Sequence, residues 1–289
     1  MTAEPKEEPP ANNQKQWPKA SAEQQTLPAI KEPPRAAATV TTTSKPRLTG
    51  NEQLQFPGPI INSRPTTVRL FNYDQLINSA PLLALKPMIN AAFRTSGLKK
   101  KILGSKDRLV EASDFYKQIG NGPETFTYIV SWADEPDSAI GTVCAKRYVV
   151  PEIPKMTGDE ARDEYISRGL VFSRIRAPKR RVVAGDAELE MWELCMLTVD
   201  PTLQRQGLAG YLLRLVDDGV RMVSREVREQ RCSSNHDKVE LVMVMTCIRE
   251  LNDGFYSRRG YELDYDKWHE IGTLESEAGF TIGHYSKLL

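Results

Sequence analysis

The chain has 289 residues, of which 40% are hydrophobic and 27% are charged, enough for one sizeable folded core. The formal net charge is +1, so composition gives no general attraction to nucleic acid or to an anionic membrane. No apolar run approaches the roughly 20 residues that a membrane-spanning helix needs.

The first 65 residues differ in composition from the rest of the chain. They contain 11 of the 19 prolines and few large apolar side chains, so they bury too little surface to offset the entropy of ordering. We therefore expect residues 1–65 to form a disordered, Pro-rich tail and residues 66–289 to form one folded domain. The tail lacks the apolar segment of a signal peptide, and its glutamates argue against a transit peptide.

The start of the domain shows the periodicities of both strands and helices. Runs of β-branched and aromatic residues predict strands at 66–71, 126–132 and 139–150, with a turn at 135–137 between the last two. Apolar spacing near three to four residues predicts helices at 74–78, 81–93 and 106–119, with Asp74 as a possible cap.

Residues 151–187 form an unusually long insertion between the third and fourth predicted strands. The segment is rich in charges of both signs, including Arg180 and Arg181. Charge runs are most often solvated surface, which is the first interpretation. The alternative is a substrate lid or a clamp for a phosphate group.

The most informative segment follows the fourth predicted strand, 188–199. A polar turn carries Gln204, Gly207 and Ala209 in a Gln-x-x-Gly-x-Ala pattern and leads at once into a long amphipathic helix, 207–229. A helix amino terminus presents unpaired N–H groups and the positive end of a dipole. Because glycine lets the backbone approach a ligand closely, the segment predicts a cradle for a diphosphate. Neither the P-loop nor the G-x-G-x-x-G pattern is present.

The remainder of the chain predicts a strand, a short helix and two further strands. Residues 239–246 form an almost unbroken apolar run typical of a buried strand. The segment after it carries Phe255, Tyr256, Gly260 and Tyr261 in a Phe-Tyr-x-x-x-Gly-aromatic pattern. The final strand is predicted at 280–287.

Taken in this order, the pieces resemble the GNAT superfamily of acyl-CoA N-acyltransferases. Gln204, Gly207 and Ala209 match the family's [Gln/Arg]-x-x-Gly-x-[Gly/Ala] motif, and Phe255-Tyr256 matches its closing segment. The resemblance runs from about residue 66 to the carboxyl terminus. It implies an α/β fold with a mixed, mostly antiparallel central sheet flanked by helices, and acetyl-CoA as co-substrate.

The resemblance also implies roles for particular residues. Tyr256 is the expected general acid at the coenzyme sulfur, with an ordinary core tyrosine as the alternative. Glu193, eleven residues before Gln204, is the candidate base; a solvated carboxylate or one that binds the substrate ammonium is the alternative. Arg249 stands where the family often has asparagine, which puts a pantetheine contact from that helix in doubt. The coenzyme-binding residues implied are Leu197, Thr198, Val199, Gln204, Arg205, Gln206, Gly207, Leu208, Ala209 and Gly210.

Cysteines and histidines give no sign of a metal site. The four cysteines have no C-x-x-C spacing and indicate reduced thiols in an intracellular protein, cytoplasmic or nuclear. The three histidines are too scattered for a metal cluster.

The leading hypothesis is an N-acetyltransferase that transfers an acetyl group from acetyl-CoA to a primary amine by direct attack in a ternary complex. The alternatives are a non-catalytic acyl-CoA-binding sensor or scaffold that retains the fold, and an interaction module dominated by the tail. The identity of the amine and the oligomeric state remain open at this point.

Overall fold

The computed structural model describes most of the predicted domain. The described residues are 53–94, 101–102, 107–148, 188–230, 239–273 and 276–289. The predicted tail up to residue 52, the insertion 151–187 and Cys232 lie outside them. Within the described ranges, no helix combines the length and apolar character needed to cross a membrane.

A mixed sheet forms the centre of the fold. In the described part of the chain it has eight strands in the order β1-β2-β3-β4-β5-β6-β8-β7. All neighbours are antiparallel except β5 and β6, which are parallel, so the predicted fold class is confirmed. The strands are β1 Leu54–Pro57, β2 Thr66–Asn72, β3 Phe126–Trp132, β4 Gly141–Arg147, β5 Glu188–Val199, β6 Val239–Ile248, β7 Glu262–His269 and β8 Phe280–Leu288.

Helices cover both faces of this sheet. On one face, α1, α2 and α3 enclose a core that includes Phe71, Phe115 and Ile129. On the other face α4 buries its apolar stripe against β3, β4 and β5 around Trp192. The helices are α1 Tyr73–Ile77, α2 Pro81–Arg94, α3 Ser113–Ile119, α4 Leu208–Gln230 and α5 Arg249–Ser257, with a 3₁₀ turn at Pro201–Leu203.

A glycine in the middle of α4 sets how closely this helix approaches the sheet. A Cβ atom placed on Gly219 would lie 2.9 Å from the ring of Phe126 and 2.9 Å from the hydroxyl of Tyr128. Real Cβ contacts are longer, so only glycine permits this spacing at the crossing point with β3. The helix is thereby fixed with its amino terminus beside the end of β5.

The first half of β5 is held by a buried carboxylate. Glu190 accepts hydrogen bonds from the hydroxyl of Ser224 (2.8 Å) and the indole N–H of Trp192 (2.9 Å). It also forms an ion pair with Arg147 of β4. Since buried carboxylates are retained only when their lone pairs are satisfied, this network fixes β5 against both α4 and β4.

Some predicted boundaries were wrong. The tail was predicted to extend to residue 65, yet Leu54–Pro57 pairs with β2 and Phe56 packs edge-on against Tyr128. Asn72, not Asp74, caps α1: its side chain accepts the N–H of Gln75 while the Gln75 side chain accepts the N–H of Asn72. The predicted helix 106–119 is regular only from Ser113, and the predicted strand 139–150 begins at Gly141, while residues 106 and 149–150 lie outside the described ranges.

Candidate functional site

The only parallel pair of strands among the described residues separates part-way along its length. The pairing of β5 with β6 begins at Glu188 and Val239 and ends at Glu193 and Val244. Beyond that point β5 continues to Val199 beside β4, while β6 continues to Ile248 beside β8. The two strands therefore leave a gap between their carboxyl-terminal halves.

An irregularity in β5 accompanies this separation. The pairing of β4 with β5 shifts register between Thr142 and Cys144, so β5 carries one more residue than β4 there. Met196 has a φ of 55°, which non-glycine residues rarely adopt. A residue of this kind next to a register shift is typical of a β-bulge, which bends one strand and redirects its backbone groups.

The backbone direction after the bulge exposes amide groups to the gap. The N–H of Asp200 donates to the carbonyl of Ile140 on the β4 side (2.9 Å). Backbone groups alternate between the two edges of an extended strand. The N–H groups of Val199 and, two residues earlier, Leu197 therefore point to the opposite edge, from which β6 has separated. Thr198 lies between them with its side chain buried.

A tight turn connects β5 to α4. Asp200 accepts hydrogen bonds from the N–H (2.8 Å) and the hydroxyl (2.6 Å) of Thr202, which closes the 3₁₀ turn. Two residues then adopt positive φ: Arg205 at 64° and Gly207 at 82°. Glycine adopts the second conformation without a steric cost, which is the physical reason for the glycine of the motif. Gln204 is exposed, and its amide lies 3.5 Å from the carbonyl of Val199.

The amino end of α4 leaves a row of N–H groups without backbone acceptors. The first helical bond runs from Tyr211 to the carbonyl of Gly207 (3.0 Å). In the described part of the chain no acceptor takes the N–H groups of the residues before it: Arg205, Gln206, Gly207, Leu208, Ala209 and Gly210. Open N–H groups of this kind, together with the positive end of the helix dipole, favour an anion. We call this segment, 205–210, the cradle.

Packing places the cradle beside the gap. A Cβ atom on Gly141 would lie 3.2 Å from the side chains of both Leu208 and Leu212, and 3.5 Å from the carbonyl of Thr198. The first two turns of α4 thus rest on β4 directly beside the distal half of β5. A ligand in the cradle can extend along the free edge of β5.

Tyr256 lies on α5, whose carboxyl end adjoins the cradle. Its side chain is 8% exposed and packs edge-on against Phe255 and Tyr261. Burial raises the pKa of the phenol well above its ordinary value, Cys247 adds to this, and the guanidinium of Arg259 partly opposes it. No group of the described chain hydrogen-bonds its hydroxyl. A buried tyrosine usually finds such a partner, so the hydroxyl is available to a ligand.

Glu193 occupies the point where β5 and β6 separate, because it is the last residue of β5 that pairs with β6. Its side chain is partly exposed, and its carboxylate lies 3.2 Å from the ammonium of Lys146 on β4. Lys146 also donates to the carbonyl of Gln118 in α3 (3.1 Å). The structure therefore places the candidate base at the inner end of the gap, with a cation already beside it.

One basic residue of the site was not predicted from the sequence. Arg259 follows α5, and its guanidinium lies against Gly210 of the cradle. Its position depends on the packing of two helices that are distant in sequence, so no local pattern indicates it. By contrast, Arg249 forms an ion pair with Asp266 of β7, which directs that side chain toward β7.

Metal binding has no support in the described residues, since they contain no group of three or more His, Cys, Asp or Glu side chains arranged to hold an ion. Cys144, Cys195 and Cys247 are free thiols.

Comparisons with known proteins gave matches to solved structures only. No family model matches the chain, and no curated protein matches it. One match is NAA60 of Arabidopsis thaliana in complex with acetyl-CoA, at 15% identity and a TM-score of 0.42, covering 78% of this chain and 98% of that one. Another is an acetyltransferase of the GNAT family from Streptococcus pneumoniae, at 9% identity and a TM-score of 0.42, covering 78% and 99%. A third is FeeM, an N-acyl amino acid synthase from uncultured soil microbes, at 12% identity and a TM-score of 0.40, covering 81% and 92%. At these identities none of them assigns a role to a residue of this chain.

Proposed function

We propose that this protein is a GNAT-type N-acetyltransferase that moves an acetyl group from acetyl-CoA to a primary amine. The observation that carries the proposal is the parting of β5 from β6 directly beside the open amino end of α4. An elongated ligand with an anionic middle and a narrow arm fits such a site: the anion meets the cradle, and the arm follows the free edge of β5.

The described residues fit coenzyme A in particular. Six successive N–H groups at 205–210 suit a diphosphate, which accepts several hydrogen bonds at once. The N–H groups of Leu197 and Val199 suit the amide-containing pantetheine arm, because they continue the pattern of a strand edge. Acetyl-CoA would supply an activated thioester, and the chain itself supplies binding, orientation and proton transfer.

Tyr256 is the proposed general acid. Its raised pKa keeps the phenol protonated at neutral pH, so it can donate a proton to the departing thiolate. The buried setting also strengthens any hydrogen bond that the hydroxyl makes, since few waters compete there. Its hydroxyl has no partner in the described chain and, unlike the hydroxyl of Tyr261, it is not fully enclosed by the protein, so a ligand can reach it.

Glu193 is the proposed base. A substrate amine must lose a proton before it attacks the thioester, and a carboxylate at the inner end of the gap can accept that proton directly or through water. Lys146 at 3.2 Å orients the carboxylate. Direct attack within a ternary complex requires no activated nucleophile on the protein. The two described thiols on the bordering strands, Cys195 and Cys247, have raised pKa values, so neither is activated at neutral pH.

Two measurements test the proposal in sequence. Calorimetry of the full chain with CoA and with acetyl-CoA should show saturable one-to-one binding. Thiol release from acetyl-CoA across a panel of small amines, polyamines, amino acids and peptides should then give turnover with at least one acceptor. Binding without turnover on any amine would favour a non-catalytic acyl-CoA sensor. Absence of binding would remove both functions.

A further inference from the structure

The guanidinium of Arg259 lies in van der Waals contact with the first turn of α4. A Cβ atom on Gly210 would lie 3.3 Å from Nη2 and 3.6 Å from Nε of this arginine. The shorter of these distances is tighter than most real Cβ contacts, so glycine at 210 leaves room for the guanidinium. Arg259 thus adjoins the open N–H groups of the cradle, although it is 49 residues away in sequence.

Contacts on one side of the guanidinium fix its orientation. Nη1 donates to the carbonyl of Phe255 at 2.7 Å, and the guanidinium carbon lies 3.7 Å from the centroid of the Phe255 ring. Stacking and a capping bond at the end of α5 together hold the guanidinium over the Phe255 ring. Nε and Nη2 face Gly210, and no acceptor in the described ranges takes their protons.

The charges around Arg259 are all of one sign. Its pKa is lowered, first by burial and then by the neighbouring guanidinium groups of Arg258 and Arg214. Arg214 is one turn beyond Gly210 on α4, and the amino end of that helix adds a positive partial charge. No carboxylate of the described chain forms an ion pair with any of the three arginines. Five other described arginines do form such pairs: Arg64, Arg94, Arg147, Arg221 and Arg249.

An arrangement of like charges around a helix amino terminus is unfavourable unless an anion occupies it. The nearby Tyr256 gives an independent sign of a ligand: its side chain is more than nine-tenths buried, its hydroxyl has no partner in the described chain, and its pKa responds to the charge of Arg259. An unpaired guanidinium and an unpartnered buried hydroxyl thus lie near each other at the carboxyl end of α5, where a bound ligand could satisfy both.

We propose that Arg259 binds the diphosphate of the coenzyme, with its Nε–Nη2 edge supplying a fixed side-chain cation to an anion otherwise held by backbone N–H groups. This inference rests on the function proposed above and adds a residue that sets the specificity for phosphate. The planar edge of arginine matches a phosphate geometrically, so lysine at this position would be a poorer substitute. A side chain at position 210 would crowd the guanidinium and force it to shift slightly.

The test uses the full-length protein and calorimetry with CoA over a range of salt concentrations. Arg259→Gln should weaken CoA binding by about 10- to 100-fold and flatten the dependence of the dissociation constant on salt. Arg259→Lys should give an intermediate loss. Gly210→Ala keeps the charge but crowds the guanidinium, and should weaken binding several-fold. Arg221→Gln removes an exposed arginine paired with Asp218, and should leave binding unchanged.

A second ligand separates the two kinds of phosphate in CoA. 3′-Dephospho-CoA retains the diphosphate, so Arg259→Gln should weaken its binding by the same factor as for CoA. A loss seen only with CoA would overturn the diphosphate assignment in favour of the 3′-phosphate. Wild-type affinity and salt dependence in both Arg259→Gln and Gly210→Ala would overturn the inference while leaving the proposed function intact. Failure of the wild-type protein to bind CoA would instead refute the proposed function itself.

Discussion

Replacing Tyr256 by phenylalanine should separate catalysis from stability. The hydroxyl has no hydrogen-bond partner in the described chain, so its removal costs the folded protein no internal bond. Leaving a buried polar group unpaired costs about 1–3 kcal/mol, so the free energy of unfolding should stay constant or rise by about 1 kcal/mol. For a domain of this size, that corresponds to a Tm unchanged or raised by about 2–4 °C.

The effect on turnover should be far larger. Loss of a general acid reduces kcat by about 10²–10⁴-fold, whereas calorimetry should give a near-wild-type dissociation constant for CoA. Since the pKa of Tyr256 is raised, the wild-type enzyme should retain its proton donor up to at least the ordinary tyrosine range near pH 10. The assay is thiol release from acetyl-CoA with a saturating amine, followed across pH.

Tyr261 offers a matched control, because it is 2% exposed and its hydroxyl is likewise buried without a partner. Tyr261→Phe makes the same chemical change within the same aromatic cluster and should leave kcat unaltered. The catalytic assignment would be refuted by equal kcat values for the two variants. A loss of more than about 2 kcal/mol of stability in Tyr256→Phe with full activity would make this residue a core tyrosine only.

Three further predictions concern the backbone and the base. Gly207→Ala places a side chain at a φ of 82°, and the resulting strain of about 1–2 kcal/mol should appear as weaker CoA binding. The control Gly272→Ala, at a φ of 90° in open space, should lower Tm without affecting CoA binding. Weakened CoA binding in this control would show that the effect at Gly207 is not local. Glu193→Gln should lower kcat by about 10²-fold or more and leave the affinity for CoA unchanged. If the variant instead raises the KM for the amine at constant kcat, Glu193 binds the substrate ammonium and is not the base. Gly219→Ala should lower the free energy of unfolding in urea by about 1–3 kcal/mol, because its Cβ would collide with Phe126 and Tyr128. The control Gly254→Ala meets only the exposed end of an arginine side chain and should raise the free energy of unfolding slightly through helix propensity. Equal changes in the two variants would show that position 219 has room for a side chain.

Long, strongly patterned elements were predictable from the sequence. The bounds of β3 and β5 match the prediction, and α4 begins within one residue of it, because buried strands and an amphipathic helix leave unambiguous periodicities. Strand β1 was missed since it has four residues, ends in proline and gains its stability from pairing with β2, which is not a local property.

The candidate site likewise has features that follow from local sequence and features that arise only from tertiary packing. The positive φ of Gly207 and the open N–H groups after it are written locally in the Gln-x-x-Gly-x-Ala pattern. The contact of Arg259 with Gly210, and the ion pair of Glu193 with Lys146, arise only when separate elements pack together. The local pattern thus predicts the turn and its open N–H groups, but not which side chains lie beside them.

The β5–β6 pairing consists of only six residue pairs. It therefore joins two blocks of the sheet, one formed by strands β1 to β5 and the other by β6, β8 and β7. A ligand bound in the gap would contact both blocks and add hydrogen bonds where β5 and β6 no longer pair. A bound ligand would therefore stabilise the junction between the two blocks and slow local unfolding there, measurable as slower amide hydrogen exchange in β5 and β6. Because a ligand that binds only the folded state stabilises it, the stability of the protein would increase with the concentration of this ligand.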